Sequence, residues 1–326
     1  MGWKKKITLT TLLTGSAAIG IHLINKTIYL SSIVDNNLNN SDGNYYEWKF
    51  GKIFYKKTGN GKPILLVHDL STFSSAMEWK KIIKNLSHNH TVYAIDLLGC
   101  GRSDKPNITY TNFLYVQMIT DFIKNIINEK TDIAATGLSA SFVLGACHND
   151  HDIIDNIILI NPSDIKATSN IPTKSTKVLT KLINLPLIGT LLYNLLTTEK
   201  NIQLTFSEKY YYDCSKIDNQ LVKTYYEAAH CGNASSKFLF ASICGYYTTA
   251  NISLYLEGLN NSIFIFVGEK EEIQMEYAKQ YQTLLPSIEI IEIENTKFLP
   301  QLEKADEFTK NVSILLVSDY TSNIPN

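Results

Sequence analysis

Short apolar runs of strand length alternate with segments of helical periodicity along most of this chain. Such runs are typical of strands buried on both faces, and their alternation with helices favours a parallel sheet with helices on each side. A hairpin is predicted near Tyr45, where polar and apolar positions alternate around a glycine. The predicted strands cover 63–70, 91–97, 131–137, 156–163, 262–269 and 287–294, and helical patterns cover 111–129, 141–149 and 273–285. The pattern therefore predicts a mostly parallel, doubly wound α/β fold.

The alternation is interrupted once, in the second half of the chain. Between about Asp164 and Asn261 the pattern is mostly helical, after which strands and helices resume. We therefore predict a core in two parts, 45–164 and 259–320, with a helical insertion over 165–258 between them.

The first residues have the character of a membrane signal. A short basic stretch, MGWKKK, precedes residues 7–24, which are uncharged and mostly apolar. These 18 residues, at about 1.5 Å each, are close to the minimum that crosses a bilayer. Residues 1–30 are therefore predicted to anchor the protein with its body extracytoplasmic, because flanking positive charge favours the cytoplasmic side. The polar, Asn-rich residues 31–44 are predicted to be a solvated linker.

Two other interpretations of this N-terminal segment stay open. The small residues at 16–18 could form a cleavage site, in which case the segment is a removable signal and the protein is secreted. The segment could also be an ordinary amphipathic helix, since its threonines lower the hydrophobicity.

The charge balance and the cysteines narrow the range of partners. Lys and Arg number 30 against 31 Asp and Glu, so no net field favours nucleic acid, and we predict no nucleic-acid partner. The five cysteines are scattered without a CxxC or a paired spacing, so they indicate neither a metal site nor a disulfide framework. We also predict no cofactor.

One strand-to-helix junction carries a candidate catalytic serine. In TDIAATGLSASF, the stretch from Gly137 to Ser141 lies between a predicted buried strand and a predicted helix. A sharp turn at such a junction lifts its central side chain above the sheet, and small residues two positions before and after it let strand and helix approach. Ser139 is then an exposed nucleophilic hydroxyl. The alternative is that it only caps the N-terminus of the helix.

Further motifs are similar to those of the α/β-hydrolase superfamily. LLVHDL resembles its strand-loop H-G-x stretch, and DLLGCGRSDKP, residues 96–106, resembles its D-x-x-G-x-G-x-S-x-x-P loop. NPSD and VGEKEE lie where later strands of that fold end. The resemblance covers 45–316, and it implies an α/β-hydrolase fold in which the helical insertion is a cap.

The resemblance also implies roles for individual residues. Ser139 is the implied nucleophile, and the backbone N–H groups of Leu70 and Ala140 form the implied oxyanion hole. Glu271, in the loop after the seventh strand, is the implied acid of the triad. For Glu271 a solvated loop carboxylate is the alternative interpretation.

The stretch FLPQLEKADEF departs from the family at the catalytic base. It resembles the family's H-L-P-H-L-E-x-P-x-x-F stretch, and the alignment puts Phe298 where the histidine stands. Phenylalanine cannot accept a proton, and loss of the triad histidine costs on the order of 10⁶ in turnover. Asp69 also replaces the glycine of the H-G pair, which is expected to bring a carboxylate close to the oxyanion hole. His230 in the insertion is the candidate surrogate base, or alternatively it packs within the cap.

An apolar stretch at 179–197 bears on the ligand. It carries one charge, and Pro186 and Gly189 divide it into two short helices. These either cover the mouth of the active site, or form an apolar access wall or a patch that lies on the membrane. We expect a membrane-associated, serine-hydrolase-like protein for a small apolar, ester-type ligand, with activity low or lost because of Phe298. The alternative is a pseudoenzyme that binds a small apolar ligand or a protein partner at the membrane.

Overall fold

The computed structural model of the protein describes residues 3–38 and 42–322. The strands are Asn44–Trp48 (β1), Gly51–Thr58 (β2), Lys62–Val67 (β3), His90–Ile95 (β4), Thr131–Thr136 (β5), Ile154–Ile160 (β6), Ile263–Gly268 (β7) and Glu289–Ile293 (β8). They form one eight-stranded sheet in the order β1-β2-β4-β3-β5-β6-β7-β8.

The sheet is antiparallel at one edge and parallel elsewhere. β1 and β2 form a hairpin, and β2 pairs antiparallel with β4. All further pairs, from β4 with β3 through to β7 with β8, are parallel. Every residue of β5 and of β7 is buried, as expected for strands covered on both faces. The predicted α/β-hydrolase fold with its mostly parallel sheet is confirmed.

Helices cover both faces of the sheet. The helices outside the insertion are Trp3–Ser32 (α1), Ile83–Leu86 (α2), Asn112–Phe122 (α3), Ala140–Asn149 (α4), Glu272–Leu284 (α12), Pro300–Glu303 (α13) and Ala305–Ser322 (α14). Phe122, Phe142 and Tyr281 belong to one buried cluster, so α3, α4 and α12 share one face. Leu86 and Phe308 belong to a second cluster, which places α2 and α14 on the other face.

The chain between β6 and β7 is helical. Its helices are Ile165–Thr168 (α5), Lys174–Asn184 (α6), Ile188–Leu196 (α7), Glu199–Thr205 (α8), Asn219–His230 (α9), Ser236–Cys244 (α10) and Ile252–Leu256 (α11). They occupy the range in which the sequence predicts the helical insertion. Part of this insertion packs on the loop after β8, because Phe206 and Tyr225 share a buried cluster with Phe298 and Leu299.

The segment after the predicted anchor is docked on the insertion. α1 continues to Ser32, which is buried, and Leu38 is only 1% exposed. Glu227 of α9 accepts hydrogen bonds from the backbone N–H groups of Asn37, at 2.6 Å, and of Leu38, at 3.4 Å. Asn37 and Leu38 are thus bonded to the insertion, unlike the solvated linker predicted for 31–44, whereas residues 34–36 are exposed, as that prediction expects. Its residues 39–41 lie outside the part of the chain that the structure describes.

No single helix within the described residues is both long and apolar enough to cross a membrane. The helices α6 and α7 together meet that criterion by length and composition, but they are bent by 100°. The predicted anchor at 7–24 includes side chains, those of 7–11 and 13, that lie outside the description. Membrane anchoring therefore stays a prediction.

Candidate active site

The turn between β5 and α4 reverses the chain at Gly137. Gly137 has φ +58°, in the left-handed region where a residue without a Cβ is favoured. A single 3₁₀ turn, Gly137–Ser139, connects the strand to the helix. Ser139 already has helical backbone angles, φ −65° and ψ −18°. The sharp reversal therefore falls two residues before the serine.

Ser139 differs from the predicted exposed hydroxyl. Its side chain is fully buried, and its Oγ donates a hydrogen bond of 2.6 Å to the carbonyl oxygen of His68, in the loop after β3. The reason is the early turn, which brings Ser139 into the helix and directs it under that loop. Ala140, the predicted oxyanion donor, uses its backbone N–H within the turn, to the carbonyl of Gly137. Neither prediction fits the observed geometry.

The space above Gly137 is filled by two side chains. A Cβ on Gly137 would lie 2.3 Å from Asp69 Oδ1 and 3.0 Å from Phe298 Cζ. Asp69 Oδ1 also accepts a hydrogen bond of 2.9 Å from the backbone N–H of Leu138, the residue after Gly137 in the turn. The expectation that Asp69 brings a carboxylate to this region is thus met, and that carboxylate already occupies the backbone donor nearest the turn.

A buried polar network lies around the backbone of Asp69. Glu78 is 1% exposed and accepts hydrogen bonds from the Asp69 backbone N–H, at 3.3 Å, and from Gln301 Nε2, at 3.2 Å. Gln301 Nε2 also donates to Thr136 Oγ1 at the end of β5. Burial, and then the negative charge of Asp69, raise the pKa of Glu78 to about 8. Glu78 is therefore mostly protonated and uncharged at neutral pH.

His68 is a structural histidine with a defined tautomer. Its Nε2 accepts a hydrogen bond of 3.0 Å from the backbone N–H of Leu97, so Nε2 carries no proton. The ring proton is therefore on Nδ1, which donates to the Asp69 carbonyl at 2.7 Å. Burial lowers its pKa, which favours this neutral form. Leu70, predicted to supply an oxyanion donor, follows in the same loop with its side chain in the core.

Phe298 lies beside the turn, packed against the insertion. Its ring is 4% exposed and stacks on Tyr210, with ring centres 5.6 Å apart, while the ammonium of Lys209 sits 4.2 Å from its ring centre. The Phe298 carbonyl accepts a hydrogen bond of 2.9 Å from Asn161, which follows β6. The position that the resemblance assigns to the base thus holds an apolar ring in an aromatic cluster.

Glu271 lies in the loop after β7, at the start of α12, and is partly exposed. Burial raises its pKa, and the positive charges of Lys297 and Lys209 act in the opposite direction. Both lysines flank Phe298, one in sequence and one in space. Glu271 therefore lies in the neighbourhood of Phe298, but that side chain has no N–H group for a carboxylate to orient.

His230 is engaged within the insertion. It is 2% exposed, with Nδ1 at 2.9 Å from the Tyr226 carbonyl and Nε2 at 3.3 Å from Thr197 Oγ1. Burial lowers its pKa. Because both ring nitrogens have partners in the insertion, the geometry does not fit a surrogate base. It fits the alternative, a histidine that packs within the insertion.

Sequence reasoning missed Gly137 as the centre of the turn. A signal was present, since Ala135 and Ser139 are small residues at the same two-residue distance on either side of Gly137. The pattern of small flanking residues thus fits two registers, and only one contains a serine at its centre. No sequence pattern indicated the buried polar network, because its residues Glu78, Thr136 and Gln301 come from distant parts of the chain.

Comparisons with known proteins agree with this fold. The alpha/beta hydrolase family matches residues 64–231, which are 168 of the 326 residues. An uncharacterized protein of Mycobacterium bovis is 26% identical over 133 residues, covering 41% of this chain. The match spans only 36% of that relative's own length.

Two solved structures have the same fold over most of the chain. A meta-cleavage product hydrolase from Pseudomonas fluorescens IP01 has a TM-score of 0.68 at 18% identity, covering 85% of this chain and 98% of that one. A membrane phospholipase A has a TM-score of 0.68 at 16% identity, covering 98% of this chain and 100% of that one. At these identities the likeness shows the fold alone. Together with the match over half of the sequence, it establishes that the chain belongs to the alpha/beta hydrolase family.

Proposed function

We propose that this chain is a non-catalytic member of its family that binds a ligand or partner at a membrane surface. The family places its nucleophile on the sharp turn between a strand and a helix. Here the residue with the left-handed backbone at that turn is Gly137, which has no side chain to attack a substrate. Gly137, and not Ser139, then stands at the nucleophile position.

The observation that carries the proposal is the placement of the Asp69 carboxylate. An oxyanion hole uses the backbone N–H of the residue after the nucleophile, which in this register is Leu138. That N–H is already bonded to Asp69 Oδ1 at 2.9 Å. A carboxylate at this point competes for the donor, and its negative charge repels the negative charge that develops on a substrate oxygen.

The third part of a hydrolytic site is also replaced. Phe298 Cζ would lie 3.0 Å from a Cβ on Gly137. The ring therefore stands where a base would reach the nucleophile. Loss of the serine or the histidine of a triad each costs on the order of 10⁶ in turnover. With the nucleophile and the base replaced and the oxyanion donor bonded to Asp69, the fold serves for binding.

Exposed apolar residues on α6 and α7 support the location at a membrane. Eight large apolar side chains of this segment are exposed: Val178, Leu179, Leu182, Leu185, Ile188, Leu192, Leu195 and Leu196. The sequence from 165 to 198 contains four lysines and no acidic residue. An apolar surface bordered by positive charge is typical of segments that lie on anionic membranes. We name these eight residues the α6–α7 apolar surface.

Labelling with a fluorophosphonate probe tests the loss of catalysis. The full-length wild type is expected to remain unlabelled and to hydrolyse no p-nitrophenyl ester, with or without Ser139→Ala. The matched comparison is the triple variant Asp69→Gly, Gly137→Ser, Phe298→His, which returns a nucleophile and a base and frees the Leu138 N–H. Labelling of that variant, but not of wild type, is expected. Wild-type labelling that disappears with Ser139→Ala would instead establish a serine hydrolase.

A further inference from the structure

A cavity of about 770 Å³ lies between α1 and the insertion. It is lined on one side by α1 residues such as Lys26 and Leu30, and on the other by Leu187 and by Lys237 of α10. None of the residues at the turn after β5 lines it. The cavity is therefore separate from the hydrolase-type site, and its use does not depend on whether that site is catalytic.

Lys237 is a buried cation whose described partners are neutral. It is 3% exposed, and its Nζ donates to the Leu185 carbonyl at 2.8 Å and to Thr190 Oγ1 at 3.1 Å. Burial lowers the pKa of Lys237. Buried charges in proteins are normally paired, because an uncompensated ion is costly in a medium of low dielectric. An anion in the adjacent cavity would supply the missing countercharge.

The rest of the lining suits an anionic ligand. His22 and Lys26 of α1 face the same cavity, and none of the described lining residues is acidic. Asparagines at 107, 184 and 233 add amide groups, which can donate to phosphate oxygens, while the amide of Asn25 bonds the Leu187 carbonyl. Three basic side chains with several amides form a donor set for a phosphate group, which accepts many hydrogen bonds at once.

The apolar part of the lining indicates that this phosphate carries a hydrocarbon chain. Leu30, Pro186 and Leu187 line the cavity, and Leu185 and Ile188 of the α6–α7 apolar surface are their immediate neighbours in sequence. The polar pocket therefore borders residues of the apolar surface. That arrangement matches an amphiphile whose headgroup enters the pocket while its chains stay at the surface.

We propose that this cavity binds the negatively charged phosphate headgroup of a membrane lipid, with Lys237 as the buried countercharge. The alternative is a purely structural role, in which Lys237 only donates a hydrogen bond to the Leu185 carbonyl at the end of α6. A ligand role and a capping role make different predictions for binding.

Binding of short-chain phosphatidic acid to the full-length protein in detergent tests the proposal. Thermal shift and titration calorimetry are expected to show saturable binding of this lipid, and much weaker binding of short-chain phosphatidylcholine, whose headgroup adds a positive charge. Lys237→Gln should weaken binding about tenfold or more, since a charge-assisted contact is lost. Lys279→Gln on α12 is the control that removes an exposed positive charge outside both the cavity and the α6–α7 segment, and it should bind as wild type does.

A second variant distinguishes loss of binding from a folding defect in Lys237→Gln. Ala234 is exposed and lines the cavity, so Ala234→Trp fills the space without replacing either partner of Lys237. It is expected to abolish binding while the protein stays folded. If Lys237→Gln lowers the melting temperature but both variants still bind as wild type does, Lys237 is only a cap and the proposal is overturned. Equal binding of phosphatidylcholine also overturns it, and inorganic phosphate that binds as tightly as the lipid overturns the lipid part.

Discussion

Gly137 is held in its position by both backbone and space. Its φ is +58°, and a Cβ there would meet the Asp69 carboxylate at 2.3 Å. Gly137→Ala is therefore expected to lower the free energy of unfolding by about 2–4 kcal/mol, because backbone strain adds to the clash. Urea denaturation of the two proteins measures the change.

Gly258 provides a matched control for that variant. Its φ is +78°, but no atom other than those of its two chain neighbours lies within 4 Å of a Cβ placed there. Gly258→Ala should therefore cost the backbone strain alone, about 1 kcal/mol. Equal losses in the two alanine variants would contradict the view that Asp69 firmly occupies the space above Gly137.

Glu78 should make stability depend on pH. In the folded protein the Glu78 carboxyl keeps its proton up to about pH 8, whereas in the unfolded chain it releases that proton near the ordinary pKa of 4.5. Between these values the folded state binds more protons, so the contribution of Glu78 to stability falls as pH rises. Glu78→Gln cannot ionise, so its free energy of unfolding relative to wild type should increase across that range by a few kcal/mol.

Urea denaturation at a series of pH values measures this difference. Other titrating groups are shared by the two proteins and largely cancel when the free energies of unfolding are subtracted. A difference that stays constant from below pH 4.5 to above pH 8 would mean that Glu78 ionises with an ordinary pKa.

The two helices α6 and α7 are amphipathic elements whose apolar sides face outward. Ile188, Leu192 and Leu195 follow each other at helical spacing and are exposed, while Tyr193 and Asn194 between them are buried against the body. A pair that is bent by 100° and half-buried in this way suits a position flat on a membrane better than a crossing.

A polarity-sensitive dye at Leu195 tests that position. In a Cys214→Ser background, which removes the exposed native thiol, Leu195→Cys labelled with the dye should give a blue shift when anionic vesicles are added. Leu254→Cys on α11 is the matched control, because both leucines are 57% exposed. The dye reports local insertion, so the result does not depend on whether 7–24 anchors the protein. A similar shift at both positions would contradict a specific membrane face.

At the scale of the whole molecule, the N-terminal helix and the insertion form one packed unit. Asn25 of α1 donates to the Leu187 carbonyl at 3.0 Å, and its side-chain oxygen accepts from Asn194 at 3.0 Å. Further along, Glu227 accepts the N–H groups of Asn37 and Leu38. Removing the chain up to residue 43 would therefore expose the insertion as well as remove the predicted anchor.

Glu227→Ala should release this docked segment. The variant leaves the buried N–H group of Leu38 and the part-buried N–H group of Asn37 without their acceptor, which costs about 1–3 kcal/mol. Thermolysin is expected to cut the full-length variant within residues 31–44 at least about tenfold faster than it cuts wild type, because cleavage follows local opening.

Lys223→Ala is the control for that experiment. Lys223 contacts Asp35 at 3.2 Å, but both side chains are about half exposed, and such pairs contribute little. Its cleavage rate should stay close to that of wild type. Fast cleavage of all three proteins would favour the solvated linker.

The sequence by itself determined the fold and the order of its parts. The apolar runs at β3, β5, β6 and β7 are long enough and apolar enough that only a doubly covered parallel sheet can bury them. The helical range between β6 and β7 was also predictable, because periodicity is a local property. The residue type of Phe298 was enough to exclude a catalytic base at that position, because a phenyl ring cannot accept a proton in any environment.

Only the tertiary structure decided which residue stands at the turn and what surrounds it. The spacing of small residues allows either Gly137 or Ser139 at its centre, and backbone angles, which adapt to the packing of strand and helix, select between them. The neighbours of Gly137 come from loops after other strands, so their approach depends on how the sheet is ordered. The docking of Asn37 and Leu38 could not be predicted for the same reason, because it depends on Glu227, an acceptor far along the chain that bonds their backbone N–H groups.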